Sequence, residues 1–157
     1  VVLTIDKGDD NEVELVFRVP SWCDSLELLG KDCSVVCEEG VKKIRNVWKK
    51  GDQIIIKMKY DLRSIEMAGY KLFKYGPLVL ARDNLKEEKI VGNLNEVPFD
   101  LSDGSYTVER MPIEKGEIVR FKLRDKENKN SIIITDYSSC GKRWDIDNQI
   151  SVWLKNI

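Results

Sequence analysis

The stretch Val13-Glu14-Leu15-Val16-Phe17-Arg18-Val19-Pro20 decides the fold class. Val13, Leu15, Phe17 and Val19 occupy alternate positions, with Glu14, Val16 and Arg18 between them, which is the period of two that a half-buried strand needs. Pro20 lacks an amide donor and ends the run. Gln53 to Tyr60 repeats the pattern, with Ile54, Ile56 and Met58 on one face and Lys57 and Lys59 on the other. Lys50-Gly51-Asp52 reads as a turn ahead of it, so a hairpin with Val41–Trp48 is expected.

Outward from these, Val1–Ile5, Ser25–Leu29, Gly69–Phe73, Leu78–Ala81, Tyr106–Met111, Ile118–Leu123, Ser131–Asp136 and Ile150–Leu154 also read as short strands bounded by Gly, Pro, Asn or Asp. Only Asp83–Val91 suits a helical turn. Many short strands at close spacing predict an all-β, antiparallel β-sandwich of jelly-roll type. The polar segment 83–100 reads as a linker or loop between a sandwich over 1–82 and a second part over 101–157. That part is either a smaller β domain or further strands of the same sandwich.

The chain has 157 residues, with 26 Lys+Arg against 27 Asp+Glu. A chain of this length buries roughly 68–70% of its unfolded surface and needs neither disulfide nor metal for stability. The formal charge of −1 offers no basic field for phosphates, so nucleic acid is not expected as a partner. The longest apolar runs, such as Leu78-Val79-Leu80-Ala81 and Ile132-Ile133-Ile134, are far shorter than the ~20 residues of a membrane-spanning helix. The chain opens directly on a strand pattern at Val1 and is read as a fragment of a longer protein.

Histidine is absent, which removes Ser-His-Asp and Cys-His nucleophile systems and His-based zinc sites. Of the four cysteines, Cys23, Cys33, Cys37 and Cys140, only Cys33 and Cys37 are close, which does not match the two close pairs of a structural zinc site. No metal or cofactor is expected, and the thiols read as small core hydrophobes. Four unpatterned thiols and no Asn-x-Ser/Thr acceptor suggest a bacterial cytoplasm. Charge runs at Lys86–Lys89 and Arg124–Asn130 read as solvated, the latter as a hairpin loop.

One cluster has the look of a surface site: Asp136, Tyr137, Lys142, Arg143, Trp144, Asp145 and Asp147. Sugars bind where aromatic faces stack on their rings while fixed charges hydrogen-bond their hydroxyls, and loops gather such groups. Asp136, Tyr137, Arg143, Trp144 and Asp145 are therefore the candidate carbohydrate-binding residues, and no catalytic residue is assigned. With 27 acidic residues a chance carboxylate pair is easy to nominate, so no glycosidase centre can be argued from acids alone. Trp22, Trp48 and Trp153 lie beside strand alternation and are expected in the core.

Phe17-Arg18-Val19-Pro20-Ser21-Trp22-Cys23, Leu29-Gly30, Val47-Trp48-Lys49-Lys50-Gly51-Asp52 and Tyr75-Gly76-Pro77-Leu78-Val79-Leu80-Ala81 follow one another in an order that carries a resemblance. Together they resemble the post-catalytic β-sandwich region of glycoside hydrolase family 127, the β-L-arabinofuranosidase family. Asp136-Tyr137-Ser138-Ser139-Cys140-Gly141 and Val152-Trp153-Leu154 resemble the closing segment of the same proteins. Tyr75 departs from the pattern, standing where such proteins more often have Arg. The resemblance implies an (α/α)6 barrel upstream, holding the acid/base Glu, the Cys nucleophile and zinc ligands. None of the barrel's motifs occurs here, and neither Cys23 nor Cys140 matches the nucleophile's surroundings. The chain is thus expected to be a noncatalytic accessory region whose partner is that barrel, the whole protein being the enzyme. The alternative from another class is a carbohydrate-binding module using the loop around Trp144.

Overall fold

The computed structural model describes residues 1–8, 10–30, 34–86, 90, 92–143 and 147–156. The fold is all-β, and the chain divides into two compact units, Val1–Asp61 and Leu62–Ile157. No helix among the described residues is long and apolar enough to cross a membrane.

The first unit holds β1 (Val2–Thr4), β2 (Val13–Arg18), β3 (Ser25–Gly30), β4 (Val35–Glu38), β5 (Val41–Asn46) and β6 (Gln53–Lys59). They form two three-stranded antiparallel sheets, β1-β6-β3 and β2-β5-β4. Leu26, Leu28 and Ile54 from one sheet and Ile44 from the other are buried together with Trp48, and Leu15, Phe17 and Ile56 pack against them. This is the alternation of β2 and β6 turned into a sandwich: one face of each sheet is spent on a shared core.

The expected hairpin between β5 and β6 does not form. β5 pairs with β2 and β4, while β6 pairs with β1 and β3, so the connection crosses from one sheet to the other. The turn chemistry is nevertheless present. The Asp52 carboxylate accepts from the Lys49 amide at 2.8 Å, and Gly51 and Ile5 bond across it, Gly51 N donating to Ile5 O at 2.8 Å. What overrides a hairpin is Trp48, 4% exposed, which enters the core at the crossing and donates its indole N–H to Val13 O at 3.0 Å.

The second unit holds β7 (Leu62–Met67), β8 (Tyr70–Tyr75), β9 (Leu78–Asp83), β10 (Glu96–Val97), β11 (Tyr106–Arg110), β12 (Arg120–Asp125), β13 (Ser131–Asp136), β14 (Ile150–Ser151) and β15 (Trp153–Asn156). Short 3-10 turns occupy Asn84–Lys86, within the stretch read as a helical turn, and Tyr137–Ser139. The sheet runs β10-β15-β8-β9-β13-β12-β11, with β7 on β8 and β14 on β9. Residues 62–82, grouped with the first sandwich in the sequence reading, supply three strands of this unit, and 83–100 supply the 3-10 turn and β10.

Two tight hairpins set its register. Ala68 (φ 52°) and Gly69 (φ 77°) join β7 to β8 with both φ values positive, as a type I′ turn requires. Gly76 (φ 56°) followed by Pro77 joins β8 to β9 and places the residue that tolerates positive φ first, as in a II′ turn. β9 then changes partners along its length. Leu78 and Val79 pair with β8, Leu80 and Ala81 with β13, and Arg82 and Asp83 with β14. This handover folds the sheet around a core of Phe73, Leu80, Val97, Phe99, Leu101, Val119, Phe121, Leu123, Ile132, Ile134 and Leu154.

Candidate functional site

The predicted sugar-facing cluster begins where β13 ends. Asp136 is 1% exposed, and its carboxylate is directed at the backbone of 118–119: one oxygen accepts from the amides of Ile118 (2.7 Å) and Val119 (3.2 Å). Its other oxygen accepts from Ser138 Oγ at 2.7 Å. Burial alone pushes this carboxyl up, but the Ile118 amide, the Ser138 hydroxyl and the Val119 amide outweigh it and hold it below its ordinary value. Tyr137, the next residue, is exposed. Arg143 and Asp147 are exposed as well, and Lys142 Nζ donates to Gly116 O at 2.9 Å. Trp144 and Asp145 lie outside the described residues. Of the cluster, then, the structure places Asp136 inside and Tyr137 and Arg143 on the surface.

The polar chemistry of this end gathers around a residue the sequence reading passed over. The Glu117 side chain is 1% exposed, bonded to Lys86 Nζ at 2.5 Å and lying 3.6 Å from Arg120 Nε. Its second oxygen also accepts the Glu114 amide at 2.8 Å, and Arg120 pairs with the Glu114 carboxylate. Burial pushes Glu117 up, and the Lys86 hydrogen bond, the Glu114 amide and the Lys86 and Arg120 charges together bring it below its ordinary value. Lys86 reaches on to Ser139 Oγ at 3.4 Å, and Ser139 donates to Asp136 O at 2.8 Å. Thr135 Oγ1 sits 3.1 Å from the same hydroxyl and donates to Val119 O at 2.8 Å. Asp83 accepts from the amides of Leu85 (2.9 Å) and Gly141 (3.1 Å).

The sequence marks Lys86 as the start of a solvated charge run whose remaining residues, 87–89, lie outside the described ones; the Lys86 side chain is only 16% exposed, because Glu117 draws it in. A readable signal existed at Arg82-Asp83, two charged residues closing the apolar run Leu78–Ala81, where a strand leaving the core must bring partners with it. Glu117 carried no comparable signal, since its partners are distant in sequence. The second run, Arg124–Asn130, does close a hairpin: Asp125 accepts from the Lys129 and Asn130 amides at 2.8 and 3.0 Å.

Chemically this cluster is a structural knot. Each buried carboxylate is occupied by donors, and Cys140, half-buried beside it, is pushed up to about 11 by burial and then by Asp83. A thiol at that value stays protonated at neutral pH and is a poor nucleophile. Among the described residues no group of three or more Cys, Asp or Glu side chains is placed to hold a metal ion.

Two shallow depressions lie elsewhere on the second unit. One, of about 230 Å³, is lined by Glu66, Tyr70, Lys71, Ser102, Lys155 and Asn156 among others. Asn156 also borders the other, of about 400 Å³, with Val97, Pro98, Phe99 and Asp100. Lys71 Nζ is spent on Leu101 O (2.6 Å) and Asp103 (3.0 Å). Asp100 is held down to about 2 by the Ser102 hydroxyl and amide and by Ser105. Of the tryptophans, Trp48 is buried as expected, whereas Trp22 and Trp153 are half-buried. Trp22 packs edge-on to Tyr60 at 5.4 Å.

Comparison with known proteins agrees with the first unit's limits. Residues 1–60 match the family model described as beta-L-arabinofuranosidase, GH127 middle domain. Among solved structures, the chain resembles Ara127N-Se, a GH127 beta-L-arabinofuranosidase from Geobacillus stearothermophilus T6, with a TM-score of 0.67 at 17% identity over 94% of this chain and 27% of that one. It also resembles a structure described as a glycoside hydrolase, with a TM-score of 0.71 at 20% identity over 99% of this chain and 30% of that one. At these identities the likeness is one of fold, and the chain spans less than a third of either protein. None of the curated proteins matches it. The resemblance to family 127 is borne out: Phe17–Cys23 and Val47–Asp52 fall inside the matched segment, and the shared fold extends over Tyr75–Ala81 and the closing segment.

Proposed function

We propose that this chain, whose first 60 residues match a GH127 middle domain, is a noncatalytic accessory β-sandwich region of a GH127-like glycosidase. Its task is to buttress a catalytic (α/α)6 barrel lying upstream in the longer protein. One observation carries the reading: nearly the whole chain takes the fold of a piece amounting to 27–30% of two glycoside hydrolases. The polar interior of the second unit supports it, because the carboxylates of Asp83, Glu117 and Asp136 are spent on backbone amides and neighbouring cations. A general acid and a nucleophile or base would have to stand free, ~5 to ~9.5 Å apart, across a sugar-sized cleft. The free thiols of Cys23, Cys37 and Cys140 suit a reducing cytoplasm.

The test is turnover of an aryl β-L-arabinofuranoside by the purified 157-residue chain and by the longer protein. Turnover by the longer protein alone is expected. Activity that co-elutes with the short chain and survives repurification sinks the accessory reading. Titration of the short chain with arabinose-containing oligosaccharides, followed by tryptophan fluorescence, separates the alternative: saturable change would mark a carbohydrate-binding module.

A further inference from the structure

The two sheets of the first unit turn different chemistry outward. In β2-β5-β4 the outward rows are Glu14 with Arg45, Val16 with Lys43 and Val36, and Arg18 with Val41 and Glu38, so each contains a charge. Arg45 pairs with Glu14, and Lys43 with Glu38, both at 2.6 Å. Its exposed aliphatics, Val16 and Val36, are separated by Lys43 in the row they share. In β1-β6-β3 the register aligns Val2, Ile55 and Leu29 in one row across all three strands. They are 55%, 41% and 44% exposed, while their neighbour Ile54, facing the core, is 0% exposed. On one side of the row lie exposed Thr4 and Gln53, on the other exposed Lys57 and Glu27. An aliphatic centre between polar rims is the anatomy of an interface.

We propose that the Val2–Ile55–Leu29 row is the surface on which the first unit docks against the catalytic domain of the longer protein. The inference rests on the accessory reading above and names the face that does the buttressing. Two further points select this occupant. A middle domain has polypeptide on both sides of it, and residues 1–60 match one. Val1 is laced to the same sheet, its nitrogen donating to Ile56 O at 2.9 Å and its carbonyl accepting from Ile56 N at 2.8 Å. Polypeptide joined ahead of Val1 therefore emerges at the edge of this sheet, beside the aliphatic row.

The experiment compares melting temperatures of the longer protein and of the 157-residue chain. Each carries the double substitution Ile55→Thr and Leu29→Thr, or the control Val16→Thr on the outward face of the other sheet. Threonine keeps strand preference and removes part of the apolar surface. The double substitution is expected to lower the melting temperature of the longer protein by about 3 °C or more beyond its effect on the short chain, an effect of the size that losing part of an apolar contact produces. Val16→Thr is expected to act equally on both. Equal shifts from the double substitution in the two proteins overturn the docking face. So does a concentration-dependent dimer of the short chain that Ile55→Thr dissolves, which would make the occupant a second copy. Neither result bears on the accessory reading, whose own tests are turnover of the arabinofuranoside and saturable oligosaccharide binding by the short chain.

Discussion

The first unit and the second reach a stable interior by different means. In residues 1–61 the polar and apolar groups are sorted by strand alternation alone, and the ion pairs Arg45–Glu14 and Lys43–Glu38 lie on the outward face. In residues 62–157 a larger apolar core is bordered by a buried knot of Asp83, Lys86, Glu117, Arg120, Asp136 and Ser139. The difference follows from topology. Each of the first unit's two three-stranded sheets is an uninterrupted antiparallel ladder about one central strand, β6 or β5. In the second, β9 passes between β8, β13 and β14, and the segments 117–119 and 137–141 leave amides that no strand takes up. Asp136 and Asp83 supply the missing acceptors, and a buried carboxylate must then be neutralised or amply hydrogen-bonded. Charge inside the second unit thus follows from bending a sheet sharply.

That contrast can be broken most decisively in the first core. Ile54→Ala removes a side chain with no exposure and is expected to cost about 4 kcal/mol. Hydrogen exchange should show the loss concentrated in β1, β3 and β6, and equal loss of protection in β12 and β13 would mean that the two units unfold as one. Next in size, Glu117→Gln leaves Lys86 and Arg120 without their shared buried carboxylate and should cost about 3 kcal/mol. Urea unfolding read by amide signals of β12 and β13 measures it, and a loss below 1 kcal/mol would demote the knot to surface decoration.

Acid sharpens the comparison further. Asp136 and Glu117 are held below their ordinary values of 3.8 and 4.5, so the folded form binds these protons less readily than the unfolded chain does. Their stabilisation is complete above those values and disappears as pH falls through the lower folded ones. Below about pH 4 the second unit should therefore lose protection before the first, and in Glu117→Gln that extra acid sensitivity should shrink. Loss of the first unit ahead of the second on acid titration would contradict the assignment. The smallest effect belongs to the outward face: Lys43→Gln, which breaks a pair with a half-exposed Glu38, should change stability by less than about 0.5 kcal/mol in chemical denaturation.

How far the sequence can be read depends on which of these mechanisms is at work. Strands such as β2, β3, β6 and β13 are legible because one face of each is buried, which leaves an alternating pattern, or a continuous one for Ile132-Ile133-Ile134. β4, β7 and β10 carry no such pattern: β4 and β7 are edge strands with mostly exposed side chains, so burial writes little into them, and β10 is only two residues long. The pairing of β5 was misread because the Lys49–Asp52 turn is the same local chemistry whether the chain returns along its own sheet or crosses to the other. The choice lies in tertiary contacts: the distant partners of β5 and β6, and Trp48 buried at the crossing. Of the candidate site, Asp136 and Tyr137 illustrate the limit: adjacent in sequence, one is 1% exposed and the other 55%. The strand's end turns one inward to cap amides of 118 and 119, and no local pattern announces amides 18 and 17 residues away.

The crossing between β5 and β6 also governs the order in which the first unit can assemble. Without a hairpin there, β6 has no neighbour in the chain to zip onto, and its partners are β3, far behind it, and β1, farther still, with Val2 opposite Ile55. Among the described residues of this unit, only β4 and β5 close locally, through Glu39-Gly40. On a ribosome, β1 must therefore wait for the rest of its unit up to β6 to be synthesised before it finds its place. Such long-range closure makes for slow folding and leaves an unpaired aliphatic edge exposed in the meantime.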